Sequence, residues 1–256
     1  MSSTDTETIG EPNTKKLKAS INSIWVIFDL ETTSFNRVTH EIIKIGALIL
    51  GDNGKQLDKA SFLLFIKPKS YILPTITKLI GINNHNVHNA PPFAHVGYTF
   101  LQFILETITK YEYDENISVQ QTILVAHNGK LFLPFLLHAL KTAGLWKYWD
   151  IYKDKLFILN TLHLSRKVLH NQKQNFSNYR LSTVYDHVSG NTLENNHCAM
   201  HDVEATVTIL QYGIFWEKRM YFVEPIDWDE NVLDEKKTME TQMEICWTWT
   251  WTQTQT

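Results

Sequence analysis

Three short apolar segments of strand character follow one another before the first helical pattern, and this order constrains the fold more than any other feature. The segments read SIWVIFDL, EIIKIGALIL and ASFLLFIKP and lie within residues 23–68. They are rich in the β-branched and aromatic residues that favour strands. The GDNG sequence between the second and third segments contains the Asn-Gly pair typical of hairpin turns. The pattern therefore predicts an antiparallel meander of three strands.

Beyond the meander, helical and strand patterns alternate. The segments TILVAHN and KLFILNTL predict two further strands. Apolar spacing predicts helices near residues 72–82, 89–111, 129–143, 162–169, 181–188 and 199–220. A meander followed by such alternation predicts an α/β domain with a five-stranded mixed sheet. Three antiparallel strands would join two parallel strands, with helices on both faces.

The two ends of the chain differ from this domain in composition. Residues 1–20 are rich in Ser and Thr and predict a disordered arm; their KKLK sequence is either a weak nuclear-import signal or part of a solvated tail. Residues 21–225 would form the α/β domain, and 256 residues suffice for one sizeable core. Residues 226–256 end in CWTWTWTQTQT and predict a low-complexity tail.

Charge, cysteine content and hydropathy limit the class of protein. A formal net charge of −3 argues against a protein that coats nucleic acid by bulk electrostatics, although a local groove could still bind a strand. Cys198 and Cys246 are too few for a disulfide framework or a zinc site of their own. No apolar run reaches the ~18 residues of a membrane helix. We therefore expect no membrane partner and an intracellular protein of the nucleus or cytoplasm. No pattern indicates an oligomeric state.

Two acidic residues end the first predicted strand, in FDLETTSF. Because alternate residues of a strand share a face, Asp29 and Glu31 point the same way. Two carboxylates on one face are costly unless they are solvated or bound to a cation. Their oxygens suit Mg²⁺ or Mn²⁺. The tripeptide alone is weak evidence for a metal, because such pairs also occur as solvated residues at a strand end.

A second candidate element is HCAMHDVEAT, at the start of the last predicted helix. Asp202 lies in the first turns of this helix and could join Asp29 and Glu31 as a ligand. His197 precedes the helix and could take a proton from a water at the metal. Alternatively, Asp202 only favours the helix dipole and His197 is a polar loop residue.

Taken together, these segments resemble the DEDDh family of 3′-to-5′ exonucleases, which has a ribonuclease H-like fold. This family includes the epsilon subunit of DNA polymerase III and the three-prime repair exonucleases. FDLETTSF is similar to its first motif, and HCAMHDVEAT to its third, with the H-x-A-x-x-D pattern intact. ILPTITKLIGI, ILNTLHLSRKVL and NYRLSTVYDHV are similar to its intervening segments. The resemblance covers residues 24–221.

The resemblance implies a role for each matched residue. Asp29 would bridge two magnesium or manganese ions, and Glu31 and Asp202 would hold the first of them. His197 would act as general base, and the backbone of Thr32–Thr33 would lie near the terminal nucleotide. The implied activity is two-metal hydrolysis that removes nucleotides from single-stranded 3′ ends of DNA or RNA.

The second motif departs from the family pattern. AHNGKLFLPFLL keeps the frame of His127 and Asn128, which the resemblance places near substrate, and Gly129 is expected to permit a tight turn. The family's aspartate falls on Phe132 in one spacing and on Leu133 in the other. Neither side chain offers oxygen. A second ion would therefore bind weakly, and cleavage would be slow or lost.

Other acidic residues could in principle replace the missing carboxylate. The candidates are Asp150, Asp154 and Glu194, and no spacing selects one of them. Asn160 stands where the family's "DTL" passage carries an aspartate, which is not one of the four acids.

A basic stretch with interleaved aromatic residues could follow a nucleic-acid backbone, although an ordinary solvated surface fits it equally well. Its members are Arg166, Lys167, His170, Lys173, Phe176, Tyr179 and Arg180.

Two functions from different classes follow. The first is a metal-dependent 3′–5′ exonuclease, whose activity the missing carboxylate would impair. The alternative is a catalytically inactive member of the fold that binds nucleic acid or a protein partner. A purely structural scaffold would leave Asp29 and Glu31 unexplained. No motif distinguishes DNA from RNA, because contacts to the 2′-hydroxyl follow no pattern here.

Overall fold

A computed structural model describes most of the chain between residues 22 and 226. The described ranges are 22–34, 40–150, 152–171, 176–194 and 198–226. The arm predicted at residues 1–20 and residues 227–256 of the predicted tail lie outside these ranges. The described residues form an α/β fold with one mixed sheet and helices on both faces, so the predicted fold class is confirmed.

Within the described residues, the sheet contains six strands. Their bounds are Ser23–Thr32 (β1), Ile42–Leu50 (β2), Gln56–Phe65 (β3), Gln121–Ala126 (β4), Leu156–Asn160 (β5) and Val223–Pro225 (β6). They lie in the order β3-β2-β1-β4-β5-β6. The first three are antiparallel, β4 is parallel to β1, and β5 is parallel to β4. The meander and the two parallel strands are therefore as predicted.

The sixth strand corrects the predicted count of five. β6 pairs antiparallel with β5, with Leu159 opposite Val223. It escapes sequence prediction because it has three residues and ends in a proline, which only edge strands tolerate. The residue after it, Ile226, is buried in the core, although the predicted tail begins there.

Nine α-helices connect and cover the described strands. Their bounds are Pro74–Ile80 (α1), Asn84–Val87 (α2), Phe93–Glu115 (α3), Gly129–Thr142 (α4), Trp146–Asp150 (α5), Thr161–Asn171 (α6), Leu181–Ser189 (α7), Ala199–Gln211 (α8) and Gly213–Lys218 (α9). The single helix predicted over residues 199–220 is wrong, because Tyr212 has an extended backbone (ψ 120°) and separates α8 from α9. No described helix is both long and apolar enough to cross a membrane.

The alternation of residues along β1 divides the core between the two faces of the sheet. Ile24, Val26 and Phe28 pack in the cluster that includes residues of α3 and α4. Trp25 and Ile27 pack in the opposite cluster, which includes residues of α6, α7 and α8. Asp29 and Glu31 continue the odd-numbered series. Their side chains therefore emerge on the face that α8 covers.

Candidate metal centre

The first strand carries two acids to the edge of the sheet where the parallel strands end. β1 lies between β2 and β4, and Asp29 and Glu31 are among its last four residues. Because β1, β4 and β5 are parallel, their C-terminal ends meet at this edge, a common place for ligand sites in α/β sheets.

Helix α8 brings the third acid. It begins directly after Cys198, whose carbonyl oxygen accepts the N–H of Asp202 at 3.0 Å. Gly46 on β2 lies opposite Asp29, and a Cβ at this position would stand 2.9 Å from the carbonyl oxygen of Ala199. The start of α8 can therefore approach the sheet closely only because residue 46 is glycine.

The three carboxylates converge in one small volume. One oxygen each from Asp29, Glu31 and Asp202 lie within 4.8 Å of one another. The residues are 8%, 5% and 9% exposed. We call this group the carboxylate cluster. The structure thus brings together the three acids that the sequence singled out.

Proximity and burial make the charged form of the cluster unfavourable. Burial raises the pKa of Asp29 well above its ordinary value, and the neighbouring Glu31 and Asp202 carboxylates add to this effect. Burial, with the repulsion of Asp202, raises the pKa of Glu31 to about 8, although Lys44 opposes the shift. Within the described residues, Oε1 of Glu31 is buried without a hydrogen-bond partner. A bound cation would satisfy this oxygen and relieve the repulsion.

The chemistry of the donors fits a hard divalent ion. All three candidate ligands are carboxylate oxygens, which Mg²⁺ and Mn²⁺ prefer, and none is the imidazole or thiolate typical of zinc sites. The buried, unpartnered oxygen of Glu31 is a second observation in favour of a cation. The cluster is therefore a candidate metal centre.

The sequence motifs do not predict a lysine that lies beside the carboxylate cluster. Lys44 lies directly opposite Glu31 in the β1–β2 pair and is 8% exposed. Its Nζ lies 3.8 Å from Sγ of Cys198 and 5.0 Å from the ring centroid of Phe65. The available signal was a lone lysine inside the apolar segment EIIKIGALIL, but its relation to Glu31 depends on the register of the strands.

The second motif contributes no acid to the first turn of α4. Phe132 and Leu133 are half-buried and pack against the cluster of apolar residues on the α3 side of the sheet. The turn before α4 also differs from expectation. Asn128, not Gly129, takes the left-handed backbone conformation (φ 72°).

The acids considered as replacements lie elsewhere. Asp150 pairs with Lys153 at 3.3 Å, Asp154 is exposed, and Glu194 lines a pocket between α7 and α8. Among the residues that the structure describes, the metal-competent group consists of Asp29, Glu31 and Asp202 without any of these three. Replacement of the missing carboxylate by one of them is therefore not supported.

His127 has partners within the protein rather than a free ring. Its Nε2 lies 3.0 Å from the carbonyl oxygen of Tyr179, and its Nδ1 lies 3.1 Å from the hydroxyl of Thr161. Burial lowers its pKa to about 4. The neutral ring thus donates to Tyr179 and accepts from Thr161. His127 therefore has a structural role, and its expected contact with substrate stays a prediction.

Asn160 stabilises the start of α6. Its Oδ1 accepts the N–H of Leu162 at 3.1 Å, as a helix-capping side chain does. The neutral residue at the family's aspartate position therefore keeps a function in the fold.

The remaining predicted contact residues differ in their exposure. Thr32 is half-buried; Thr33 is buried, and its hydroxyl accepts the N–H of Glu41 at 2.9 Å. The basic side chains of α6 and the residue before α7 are exposed: Arg166, Lys167, His170 and Arg180. The rings of Phe176 and Tyr179 lie 5.6 Å apart. His197 and Lys173 lie outside the described residues.

Solved structures with a similar fold process nucleic acids. Exonuclease I of E. coli, in a zinc-bound complex with single-stranded DNA, has a TM-score of 0.59 and 16% identity; the match covers 78% of this chain and 42% of that one. Cell-death related nuclease 4 gives 0.60 and 17%, covering 75% and 63%. The nuclease domain of 3′hExo, a DEDDh family member bound to rAMP, gives 0.56 and 17%, covering 78% and 95%. At these identities the likeness shows a shared fold.

Comparison of sequences gives a more specific result. A PolC-type DNA polymerase III of Clostridium perfringens is 31% identical over 197 residues, which are 76% of this chain and 11% of that protein. The corresponding protein of Caldanaerobacter subterraneus subsp. tengcongensis is 39% identical over 90 residues, or 35% of this chain and 6% of that protein. The chain thus spans only a small part of these relatives. The model of the RNase T-type exonuclease family matches residues 26–210. The chain therefore belongs to the exonuclease family.

Proposed function

We propose that this protein is a metal-dependent 3′–5′ exonuclease that shortens single-stranded DNA or RNA. The observation that carries the proposal is the carboxylate cluster, whose three buried acids lie within 4.8 Å on β1 and α8. A buried group of like charges is costly without a cation, so its presence supports a metal-binding function. Membership in the exonuclease family supports a nuclease as the class of enzyme.

In this proposal, Asp29, Glu31 and Asp202 hold a magnesium or manganese ion. Such an ion supplies Lewis-acid activation of a water and stabilises charge on the phosphate. His197, which precedes α8, accepts the proton of the attacking water. The Thr32–Thr33 segment follows the acids at the end of β1 and positions the terminal nucleotide.

The apolar residues of the second motif favour a slow reaction. Phe132 and Leu133 offer no ligand for a second ion, so a second ion binds weakly. Substrate oxygens would supply part of its coordination shell. The exposed Arg166 and Lys167 on α6 are available for contacts with phosphate. Cleavage is therefore expected to be slow and to respond to metal concentration.

The apolar second motif also favours a second candidate function. Because Phe132 and Leu133 pack into the core, the domain could bind single-stranded nucleic acid without cutting it. Only the first function predicts that a metal ion causes cleavage of the nucleic acid.

A cleavage assay separates these functions. A 5′-labelled single-stranded oligonucleotide is incubated with the protein in Mn²⁺ and in EDTA. We expect a ladder of successively shorter products in Mn²⁺ only. Asp202→Asn should slow the reaction by at least about a hundredfold, because loss of a direct ligand costs more than loss of its supporting residues. Glu204→Gln, at an exposed position on the same helix, is the matched control and should retain activity.

The assay also tests direction. A 3′-terminal phosphorothioate should block the ladder. Products released first as labelled mononucleotides would indicate attack from the 5′ end and contradict the proposed polarity. Retained binding of the oligonucleotide without any cleavage would favour the second candidate.

Restoring the missing acid should increase activity. Either Phe132→Asp or Leu133→Asp, whichever stands in the family's position, is expected to raise cleavage about tenfold by adding a ligand for a second ion. Both positions are half-buried, so each variant should lose roughly 1–3 kcal/mol of unfolding free energy. The amide variants Phe132→Asn and Leu133→Asn control for polarity without charge. Equal activity of the acid and amide variants at both positions would refute the assignment of the second motif.

A further inference from the structure

Lys44 is a buried lysine that lies opposite Glu31 of the carboxylate cluster. Its position in the middle of the sheet is unusual, because a lysine is seldom buried unless it is paired. The residue lies opposite Glu31 across the β1–β2 pair, and cross-strand partners lie on the same face of a sheet. Phe65 lies opposite Lys44 on the other side, in β3. The three side chains therefore form one row under the start of α8.

The contacts of Lys44 hold its ammonium near the acids. The Nζ atom lies between Sγ of Cys198, at 3.8 Å, and the face of the Phe65 ring, at 5.0 Å. Cys198 directly precedes α8, the helix that carries Asp202. Electrostatic attraction between Lys44 and Glu31 partly offsets the effect of burial on the Glu31 carboxyl. Lys44 therefore adjoins both Glu31 on β1 and the residue that precedes α8, the two elements that carry the candidate ligands.

The formal charges of the site balance with one divalent ion. The three carboxylates carry −3 when ionised, and Lys44 with one divalent ion supplies +3. A second divalent ion would bring an excess of +2 into a buried region, where interactions between charges are weakly screened. No acid of the first turn of α4 offsets that excess.

We propose that Lys44 is a resident cation of the carboxylate cluster and restricts it to one tightly bound divalent ion. Lys44 acts as a positioning residue: its ammonium attracts the Glu31 carboxylate and opposes the entry of further positive charge. The inference rests on the metal-binding part of the proposed function and does not require that the protein cleaves nucleic acid.

Binding of Mn²⁺ tests the proposal without measuring activity. Calorimetric titration at one fixed pH gives the number of bound ions and their affinity for the full-length chain. We expect one tight ion for the wild type. Lys44→Met removes the charge and keeps a long apolar side chain against Phe65, and should bind Mn²⁺ at least about tenfold more tightly because a nearby repulsive charge is gone. Lys44→Arg, which retains the charge, should bind as the wild type does.

A matched control separates local from global charge. Lys55→Met causes the same change in net charge at an exposed position in the turn at the far end of the β2–β3 hairpin. Its affinity should stay within about twofold of the wild type, since exposed charges are screened. If Lys44→Met does not give a cooperative thermal transition, Lys44→Gln replaces it in the comparison.

Three results would overturn the inference: two tight ions in the wild type, no ion in the folded wild type, or affinities of the Lys44 and Lys55 variants that agree within about twofold. A wild type that binds one Mn²⁺ but cuts no oligonucleotide would overturn the proposed exonuclease and leave the role of Lys44 intact. The two proposals can therefore fail separately.

Discussion

Glu31→Gln is expected to make the metal-free protein more stable above pH 8 while it abolishes metal-dependent cleavage. The side chain is buried beside Asp29 and Asp202, and one of its oxygens lacks a partner within the described residues. An amide of the same shape carries no charge and can donate to a neighbouring carboxylate. Stability and activity should therefore change in opposite directions.

The pH dependence follows from the sign of the pKa shift. Folding raises the pKa of Glu31 from 4.5 to about 8, so between these values the folded state binds more protons than the unfolded state. The unfolding free energy of the metal-free wild type then falls as the pH rises through this range. Because each pH unit corresponds to about 1.4 kcal/mol per proton, the loss amounts to a few kcal/mol.

Urea denaturation in EDTA at pH 5 and pH 8.5 measures this effect. The advantage of Glu31→Gln should be small at pH 5 and reach a few kcal/mol at pH 8.5, and Mn²⁺ should restore stability to the wild type only. Asp154→Asn, at an exposed position, serves as control. The same difference in unfolding free energy between Glu31→Gln and the wild type at both pH values would contradict the raised pKa of Glu31.

Gly46→Ala is expected to displace the start of α8. The added Cβ would lie 2.9 Å from the carbonyl oxygen of Ala199, which belongs to the backbone and cannot rotate away. Overpacking of this kind costs about 1–3 kcal/mol. Because Asp202 is three residues from Ala199 on the same helix, the shift should also weaken Mn²⁺ binding by about tenfold or more.

The control for this substitution is a glycine with free space around it. Gly213→Ala adds a Cβ that meets no atom within 4 Å, and the unfolding free energy should change by less than about 1 kcal/mol. Thermal melts and Mn²⁺ titrations of both variants provide the comparison. Wild-type Mn²⁺ affinity in Gly46→Ala would mean that α8 adapts without moving Asp202.

The order of the elements could be predicted because it depends on local patterns. Alternation along FDLETTSF also placed Asp29 and Glu31 on one face without knowledge of the fold. Two short features, β6 and the break between α8 and α9, could not be predicted. β6 has three residues and too weak a pattern to detect, and apolar residues stand on both sides of the break at Tyr212.

The parts of the site that escaped prediction depend on contacts between distant residues. The relation of Lys44 to Glu31 requires the register of two strands, and the approach of Ala199 to Gly46 joins residues far apart in the chain. The motif predicts a substrate contact for His127 but gives no sign of its partners inside the protein. Its partners Thr161 and Tyr179 come from later segments that only the folded chain brings near.

The position of the acids on β1 affects how the domain can fluctuate. β1 pairs with β4 over Ser23–Ile27 and with β2 from Trp25 to Thr32, a stretch that includes Asp29 and Glu31, whereas β3 and β6 are the edges of the described sheet. Edge elements can open in local fluctuations while the interior of a sheet stays closed, and interior amides usually exchange with solvent only on global unfolding. Fraying at either edge therefore leaves the backbone of Asp29 and Glu31 in place. We therefore expect the candidate metal ligands on β1 to keep their geometry while the domain remains folded.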